Sequence, residues 1–179
     1  MVYCGYISDV LIDHLYHVLD QFKSTNENED PEYTCTINGF QTTNTVKKID
    51  NDLFFREMSP IISDYLRIYY ENQLLQYSCC IDHVHIIEYR SGGKQLKHNH
   101  AATEDHSFII YMNDSNGATR IYSDADPVDV SCTRGKIVIF NAAFEHEGLD
   151  CLDKKVVAVG AIRFSNKTWK PRNLKAITA

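Results

Sequence analysis

Residues 84–113 read VHIIEYRSGGKQLKHNHAATEDHSFIIYMN, and the reading of this stretch decides the fold. Two apolar runs flank a polar, glycine-bearing segment that ends in His98-Asn99-His100. On an extended strand, residues i and i+2 share a face, so His98 and His100 can converge on one point. A third histidine, His146, arrives later in FNAAFEHEG, 140–148. Three imidazole donors suit iron, copper, zinc or nickel, and iron is the expectation here. An H-x-H pair alone also arises on a solvated strand face, so the surrounding pattern carries the weight.

Downstream of residue 82 the chain breaks into short β-rich runs: HVHIIEY, SFIIYMN, TRIYSD, KIVIF and KVVAVGAIRF. Turn-prone SGG, DSNG, DADP and TRG separate them, which predicts an antiparallel sandwich or barrel. Upstream the periodicity is helical. Residues 2–7 read as a short strand. Ser8 or Asp9 then caps a helix whose Val10, Leu11, Leu15, Val18, Leu19 and Phe22 recur at helical spacing. His14 and His17 are expected on its surface. TCTINGF, 34–40, reads as a strand with Asn38-Gly39 as a turn. A short helix is expected from Asp50 or Asn51 to Met58. A second should restart at Ser59-Pro60 and run to about Gln76, its stripe made of Ile61, Ile62, Tyr65, Leu66 and Tyr69. The plan is a single α+β domain over 1–179: helical support over 1–80, a β-core over 81–165 and a basic tail over 166–179.

The 179 residues suffice for one real core. A formal net charge of −6 lacks the basic footprint of a phosphate-binding protein, so nucleic acid is disfavoured as a partner. The six cysteines form no C-x-x-C pair or zinc-finger spacing. Cys79-Cys80 is expected to pack as small apolar residues at a helix end. MVYCGYISD lacks a signal-peptide pattern, and the longest apolar run falls far short of the roughly 20 residues that span a bilayer. The expectation is a cytoplasmic protein with reduced thiols and no membrane partner.

The order of motifs over 84–164 resembles the iron(II)- and 2-oxoglutarate-dependent dioxygenases of the prolyl 4-hydroxylase type. That family has a Tyr and a Gly three residues on, ahead of an H-x-D pair. Here Tyr89 and Gly92 precede His98. FIIYMN matches the strand that follows, NGATRIY matches a glycine-bearing segment loosely, and GKIVIF leads to His146. Lys155 matches a basic residue opening the last strand. The resemblance implies a double-stranded β-helix, a jelly-roll or cupin-like β-sandwich with N-terminal supporting helices. It implies Fe(II), 2-oxoglutarate and O2, and hydroxylation of a protein side chain (prolyl among them) or of a small molecule, with 2-oxoglutarate decarboxylated to succinate. The far carboxylate of 2-oxoglutarate needs a cation. Lys155 is the match, and Arg163, an even eight residues on and therefore on the same face, is the second candidate. Tyr111 matches a tyrosine bonding that carboxylate, and Tyr89 one near the iron-side end of the cosubstrate.

The chain departs from the family where H-x-D becomes His98-Asn99-His100. Either His100 is the third ligand, or Glu104 or Asp105 is, or the site is metal-poor; His100 is favoured. His106 is a candidate for the surroundings of the site, and His83 and His85 are expected to be structural. Two other readings stand beside this one. One is a three-histidine thiol dioxygenase of the cupin type, which would form no succinate. The other is a non-catalytic binding module without metal. Loop 91–97 and the NENED segment are candidates for lining the substrate's way in.

Overall fold

A computed structural model of the chain describes residues 1–28, 34–69, 78–124, 126–165 and 177–178. In chain order these form β1 (Val2–Tyr6), α1 (Asp9–Thr25), β2 (Thr36–Gln41), α2 (Asn51–Tyr69), β3 (Ser78–His98), β4 (His106–Tyr111), β5 (Ser115–Tyr122), β6 (Val128–Cys132), β7 (Lys136–Asn141), β8 (Glu145–Gly148), β9 (Lys155–Ser165) and β10 (Ile177–Thr178). The strand order is β1-β7-β4-β9-β3-β8-β5-β6, with β2 and β10 also pairing β3. Every pairing is antiparallel.

The sheet curls on itself, and period-2 alternation shows how. Val84, Ile86, Phe108, Ile110, Ile137, Ile139, Val156 and Ala158 point to one side and pack with the apolar stripes of both helices. Their neighbours Ile87, Tyr89, Ile109, Tyr111, Val138, Phe140 and Val157 point to the other side. There they meet Ile121, Val130 and Cys132 from β5 and β6. The first core is helix on sheet and the second is sheet on sheet, which is the expected jelly-roll sandwich with supporting helices.

Strand β3 makes the curl possible. Its first half pairs β9, from Ser78↔Ser165 to Tyr89↔Lys155. Its second half pairs β8 on the opposite layer. Between them Gly92 adopts φ 74°, a left-handed conformation that glycine takes without penalty. Segment 91–97 is therefore strand and not the expected loop. It gains partners from β2 (Thr36↔Gln95, Ile37↔Lys94) and β8 that its polar composition does not advertise. Cys79 and Cys80 likewise lie in β3 instead of at a helix end. Both are buried, and burial pushes their thiols up to about 12 and about 11.

Two helical expectations change. The predicted pair of helices at 51–58 and 60–76 is one helix, α2, that runs through Pro60; residues 70–77 lie outside the described residues. A proline in a helix interior costs about 3 kcal/mol or more. The stripe Phe54, Met58, Ile62, Tyr65 and Leu66 is nevertheless continuous and buried. Each such side chain contributes roughly 1.5–3 kcal/mol, so packing outweighs the break. Asp50 caps the helix through Oδ1, which accepts the Leu53 and Asp52 amides at 3.0 Å. In α1, Ser8 is the cap, and Ile12 is buried where Val10 was expected. Val10 projects into solvent.

Gly160 shows how tightly β3, β4 and β9 meet. A Cβ there would lie 2.4 Å from the His83 carbonyl oxygen and 2.5 Å from Phe108 Cζ. Gly160→Ala should cost roughly 1–3 kcal/mol by overpacking, read as a fall of several degrees in Tm. An unchanged Tm would mean these strands can separate freely.

His106 is buried on the helix side, its Nδ1 2.7 Å from Tyr65 Oη. Burial pulls its pKa down to about 4, against 6.5 in the unfolded chain. The unfolded state therefore binds a proton first as pH falls. Stability is fully present above about 6.5 and is lost toward pH 4, by on the order of 3 kcal/mol at most. Melts of wild type and His106→Gln between pH 7.5 and 4.5 should show a smaller acid-side loss in the variant.

Candidate metal centre

His98 closes β3 and His146 lies in β8, and the register places the two directly opposite. His100, two residues past His98, projects to the same side. Its amide is tied to the Ala142 carbonyl at 2.9 Å. The three side chains offer ligand atoms that all lie within 4.8 Å of one another. His98 Nε2 and His100 Nε2 are 3.1 Å apart. Two metal–nitrogen bonds of about 2.1 Å at right angles would bring donors roughly 3 Å apart, so the spacing fits an ion.

The tautomers agree. His98 Nδ1 lies 2.7 Å from the Leu96 carbonyl and His146 Nδ1 lies 3.2 Å from that of Phe144. A carbonyl only accepts, so both Nδ1 atoms carry the proton and both Nε2 atoms present a lone pair. His100 Nδ1 faces the Glu104 carboxylate, with Oε1 3.5 Å away. Burial pulls the His146 pKa down to about 3, helped by the neighbouring His98, and burial also lowers that of His100. Neutral imidazoles aiming lone pairs at one point repel each other unless a cation lies between them.

Behind this face an interior cavity of about 50 Å3 runs between the sheets. His98 and His146 stand at one end and Lys155 at the other, with Ile109, Thr119 and Val157 between. Lys155 is only 2% exposed. Its ammonium donates to the Ala118 carbonyl at 3.0 Å and, among the described residues, forms no ion pair. Burial lowers its pKa. The Tyr111 hydroxyl is buried beside Thr119 and, among the described residues, makes no hydrogen bond of good geometry. Tyr89 donates to Gln95 Oε1 at 2.6 Å, and Thr36 donates to the same oxygen at 3.1 Å. Burial raises the pKa of both tyrosines, so both are neutral donors. A buried ammonium without an ion pair among the described residues, at one end of a cavity, suits an anion.

No family model matches this chain, and no curated protein matches its sequence. Solved structures do match. A prolyl-4-hydroxylase from Pseudomonas putida aligns with a TM-score of 0.64 at 14% identity, over 92% of this chain and 93% of that one. A non-heme alpha-ketoglutarate-dependent epimerase from nogalamycin biosynthesis aligns at 0.63 and 9%, over 89% and 76%. A prolyl hydroxylase from Trichoplax adhaerens, solved with a hypoxia-inducible-factor peptide fragment, aligns at 0.60 and 13%, over 89% and 82%. The chain has the fold of the 2-oxoglutarate-dependent iron oxygenases. At these identities the likeness concerns architecture, and the chemistry is argued from the residues.

In this 2-oxoglutarate-oxygenase fold the expected site residues separate into two groups. His98, His100, His146, Tyr89, Tyr111 and Lys155 surround or adjoin the interior cavity. Arg163 shares the Lys155 face of β9 but lies at the far end. It pairs with Asp82 at 3.2 Å and lines a wider mouth of about 370 Å3. The three-donor cluster, among the described residues, includes neither Glu104 nor Asp105. His106 faces α2, away from the cavity. His83 and His85 line the mouth with Gln41 and Thr103. The NENED segment falls partly on 29–33, outside the described residues.

One participant, Gln95, was not expected from sequence, and Glu104, expected as an alternative ligand, stands elsewhere. Gln95 collects the hydroxyls of Tyr89 and Thr36. Glu104 stands behind His100; its side chain is 3% exposed and its Oε2 accepts Ser107 Oγ at 2.8 Å. Burial pushes this carboxyl up, but hydrogen bonds from His83 and Ser107 and the proximity of His100 outweigh it and hold the pKa below the usual range.

Lys155→Met tests the cost of this arrangement. Replacing a buried unpaired charge with an apolar chain of similar length is expected to stabilise the ligand-free protein by about 1–3 kcal/mol. Melts without added 2-oxo acid should show a Tm several degrees above wild type. A lower Tm would mean that the ammonium is structurally satisfied.

Proposed function

We propose that this protein is an Fe(II)- and 2-oxoglutarate-dependent oxygenase that hydroxylates a protein side chain, prolyl among the candidates, or a small molecule. The observation that carries this reading is one cavity with three convergent imidazoles at one end and a buried ammonium without an ion pair among the described residues at the other. His98, His100 and His146 would hold the metal. Lys155 would bind the distal carboxylate of 2-oxoglutarate, with Tyr111 as the second donor, and Tyr89 would lie against the cosubstrate. When bound, the iron and its cosubstrate supply oxidation of a C–H bond by dioxygen, with succinate and carbon dioxide as co-products.

The chain's own residues bind and exclude. Ile87, Ile109 and Val157 give the cavity apolar walls, which strengthen the Lys155–carboxylate interaction by keeping water out. The Nδ1 hydrogen bonds of His98 and His146 fix ring orientation, so little reorganisation is needed when a metal binds. A substrate would approach through the mouth lined by His83, His85, Gln41 and Arg163, on the His100 side. The peptide bound by the Trichoplax adhaerens enzyme supports a polypeptide as one class of substrate.

The all-histidine face also favours, as a second reading, a thiol dioxygenase. Such an enzyme has no use for a buried cation at the closed end. Succinate formed in step with dioxygen consumption distinguishes the two.

Anaerobic titration tests the proposal without turnover. Adding Fe(II) and 2-oxoglutarate to wild type should produce the weak visible charge-transfer band of a bidentate 2-oxo acid on iron. His146→Ala should retain no iron. Lys155→Met should bind iron normally but need at least ten-fold more 2-oxoglutarate to develop the band. Iron bound without a band in wild type would remove 2-oxoglutarate from the reading, and no iron retained would remove the oxygenase.

A further inference from the structure

We infer that Glu104 is the carboxylate of this metal centre, moved out of the coordination sphere: it orients and charges His100, the donor that stands where the resembling family has an acidic ligand. The inference rests on the metal reading above.

The three histidines are not held alike. Two are braced by the main chain, each through the carbonyl two residues before it, Leu96 for His98 and Phe144 for His146. His100 is braced by an ionisable side chain instead. The turn that follows β3 creates this arrangement. The Thr103 and Glu104 amides both bond the His100 carbonyl, at 2.9 and 3.0 Å. This single helical turn brings residue i+4 over residue i. Glu104 therefore lies against the ring of His100 on the side away from the other donors.

The carboxylate is itself fixed from three directions. Ser107 Oγ donates to Oε2, and Oε1 faces both His100 Nδ1 and His83 Nε2, the latter at 3.3 Å. His83 Nδ1 lies 3.5 Å from Asp82, which pairs with Arg163. A polar chain thus runs from the mouth to the metal face: Arg163, Asp82, His83, Glu104, His100. Asp82 is shared by Arg163 and His83, and Glu104, shared by His83 and His100, is the carboxylate nearest the three donors. A carboxylate behind a ligating imidazole fixes its tautomer and raises its basicity. The centre would then have a carboxylate directly behind one of its ligands while presenting three nitrogens to the ion.

Metal affinity measured as a double-mutant cycle tests this. Wild type, Glu104→Gln, His100→Ala and the double variant are titrated anaerobically with Co(II), whose visible spectrum reports its ligands. Glu104→Gln should weaken Co(II) binding by 10- to 100-fold. The double variant should be no weaker than His100→Ala, because Glu104 acts only through His100. Wild-type affinity in Glu104→Gln, or additive losses in the double variant, would overturn the inference. So would wild-type affinity in His100→Ala, which would make Glu104 the ligand. Failure of wild type to bind Co(II) overturns the metal reading itself and is seen before any variant is made. Should Glu104→Gln not fold, NMR of Co(II)-loaded wild type decides. Three paramagnetically shifted Nδ1–H signals, one lost in His100→Gln, support the inference; only two would overturn it.

Discussion

One strand sets both ends of the site. β3 pairs β9 with Tyr89 opposite Lys155, and nine residues later it pairs β8 with His98 opposite His146. Between these two registers it turns at Gly92 and crosses from one sheet to the other. A slip of one residue in either pairing would send the corresponding side chains to the opposite face. The distance between the cation and the imidazoles is therefore a property of β3, held by the helix-side core behind one half and the inter-sheet core behind the other. The helices contribute no donor to the cluster. They cover the outer face of β3, β4 and β9 and so hold flat the surface from which the site projects.

That surface carries groups a purely structural sandwich would avoid. Lys155, Tyr111 and His146 are all nearly inaccessible to water. Among the described residues, two of them lack a partner of the kind burial demands, an anion for Lys155 and an acceptor for the Tyr111 hydroxyl. Each is costly on the scale of a few kcal/mol. Against a total stability of roughly 5–15 kcal/mol, such a concentration in one cavity is hard to explain except by a ligand that satisfies all three. The contrast with His106 is informative. It is equally buried, on the opposite face of the same sheet, yet it has a tyrosine hydroxyl at 2.7 Å. His106 has a hydrogen-bond partner of its own, whereas the Nε2 atoms of His98 and His100 face each other.

The parts of this arrangement differ in how they register in sequence. The histidine pair was legible because strand period is exact: two residues apart means one face. The sandwich was legible because β4, β7 and β9 are dense apolar runs bounded by turn residues. β8 was not legible. EHEG has four residues and no apolar signal, and it is a strand only because β3 and β5 flank it. Segment 91–97 failed for the same reason: its strand partners are residues 36–37 and 148 and its backbone bonds reach Cys35 and Cys151, which no local window contains. Pro60 misled in the opposite direction, since a strong local breaker was overridden by tertiary burial. Parity put Lys155 and Arg163 on one face but could not say which end of β9 is closed. The closed end exists because β5 and β8 fold across it, a long-range fact. Glu104 was legible as a carboxylate near the histidines but not as a residue behind one, because its position depends on the helical turn over 100–104.

The two ends of β9 also divide the labour of the site. Eight residues of strand, about 26 Å at 3.3 Å per residue, separate Lys155 from Arg163. The inner end is narrow and closed, and it demands one feature of its ligand, a negative charge at a fixed depth. Such a requirement suits a cosubstrate that never changes. The outer end is wide and open, lined by side chains from β2, from the start of β3 and from the turn after it. Little of the metal face depends on those residues beyond His83 and the Asp82–Arg163 pair. They can vary without disturbing the register that holds His98 against His146. In the proposed reading the kind of chemistry is therefore written in the core of the sandwich, where packing constrains every substitution, and the choice of substrate is written at the mouth. The residues to interrogate for substrate are accordingly Gln41, His85, Thr103 and Arg163, because they face the opening and hold neither the metal nor the cosubstrate.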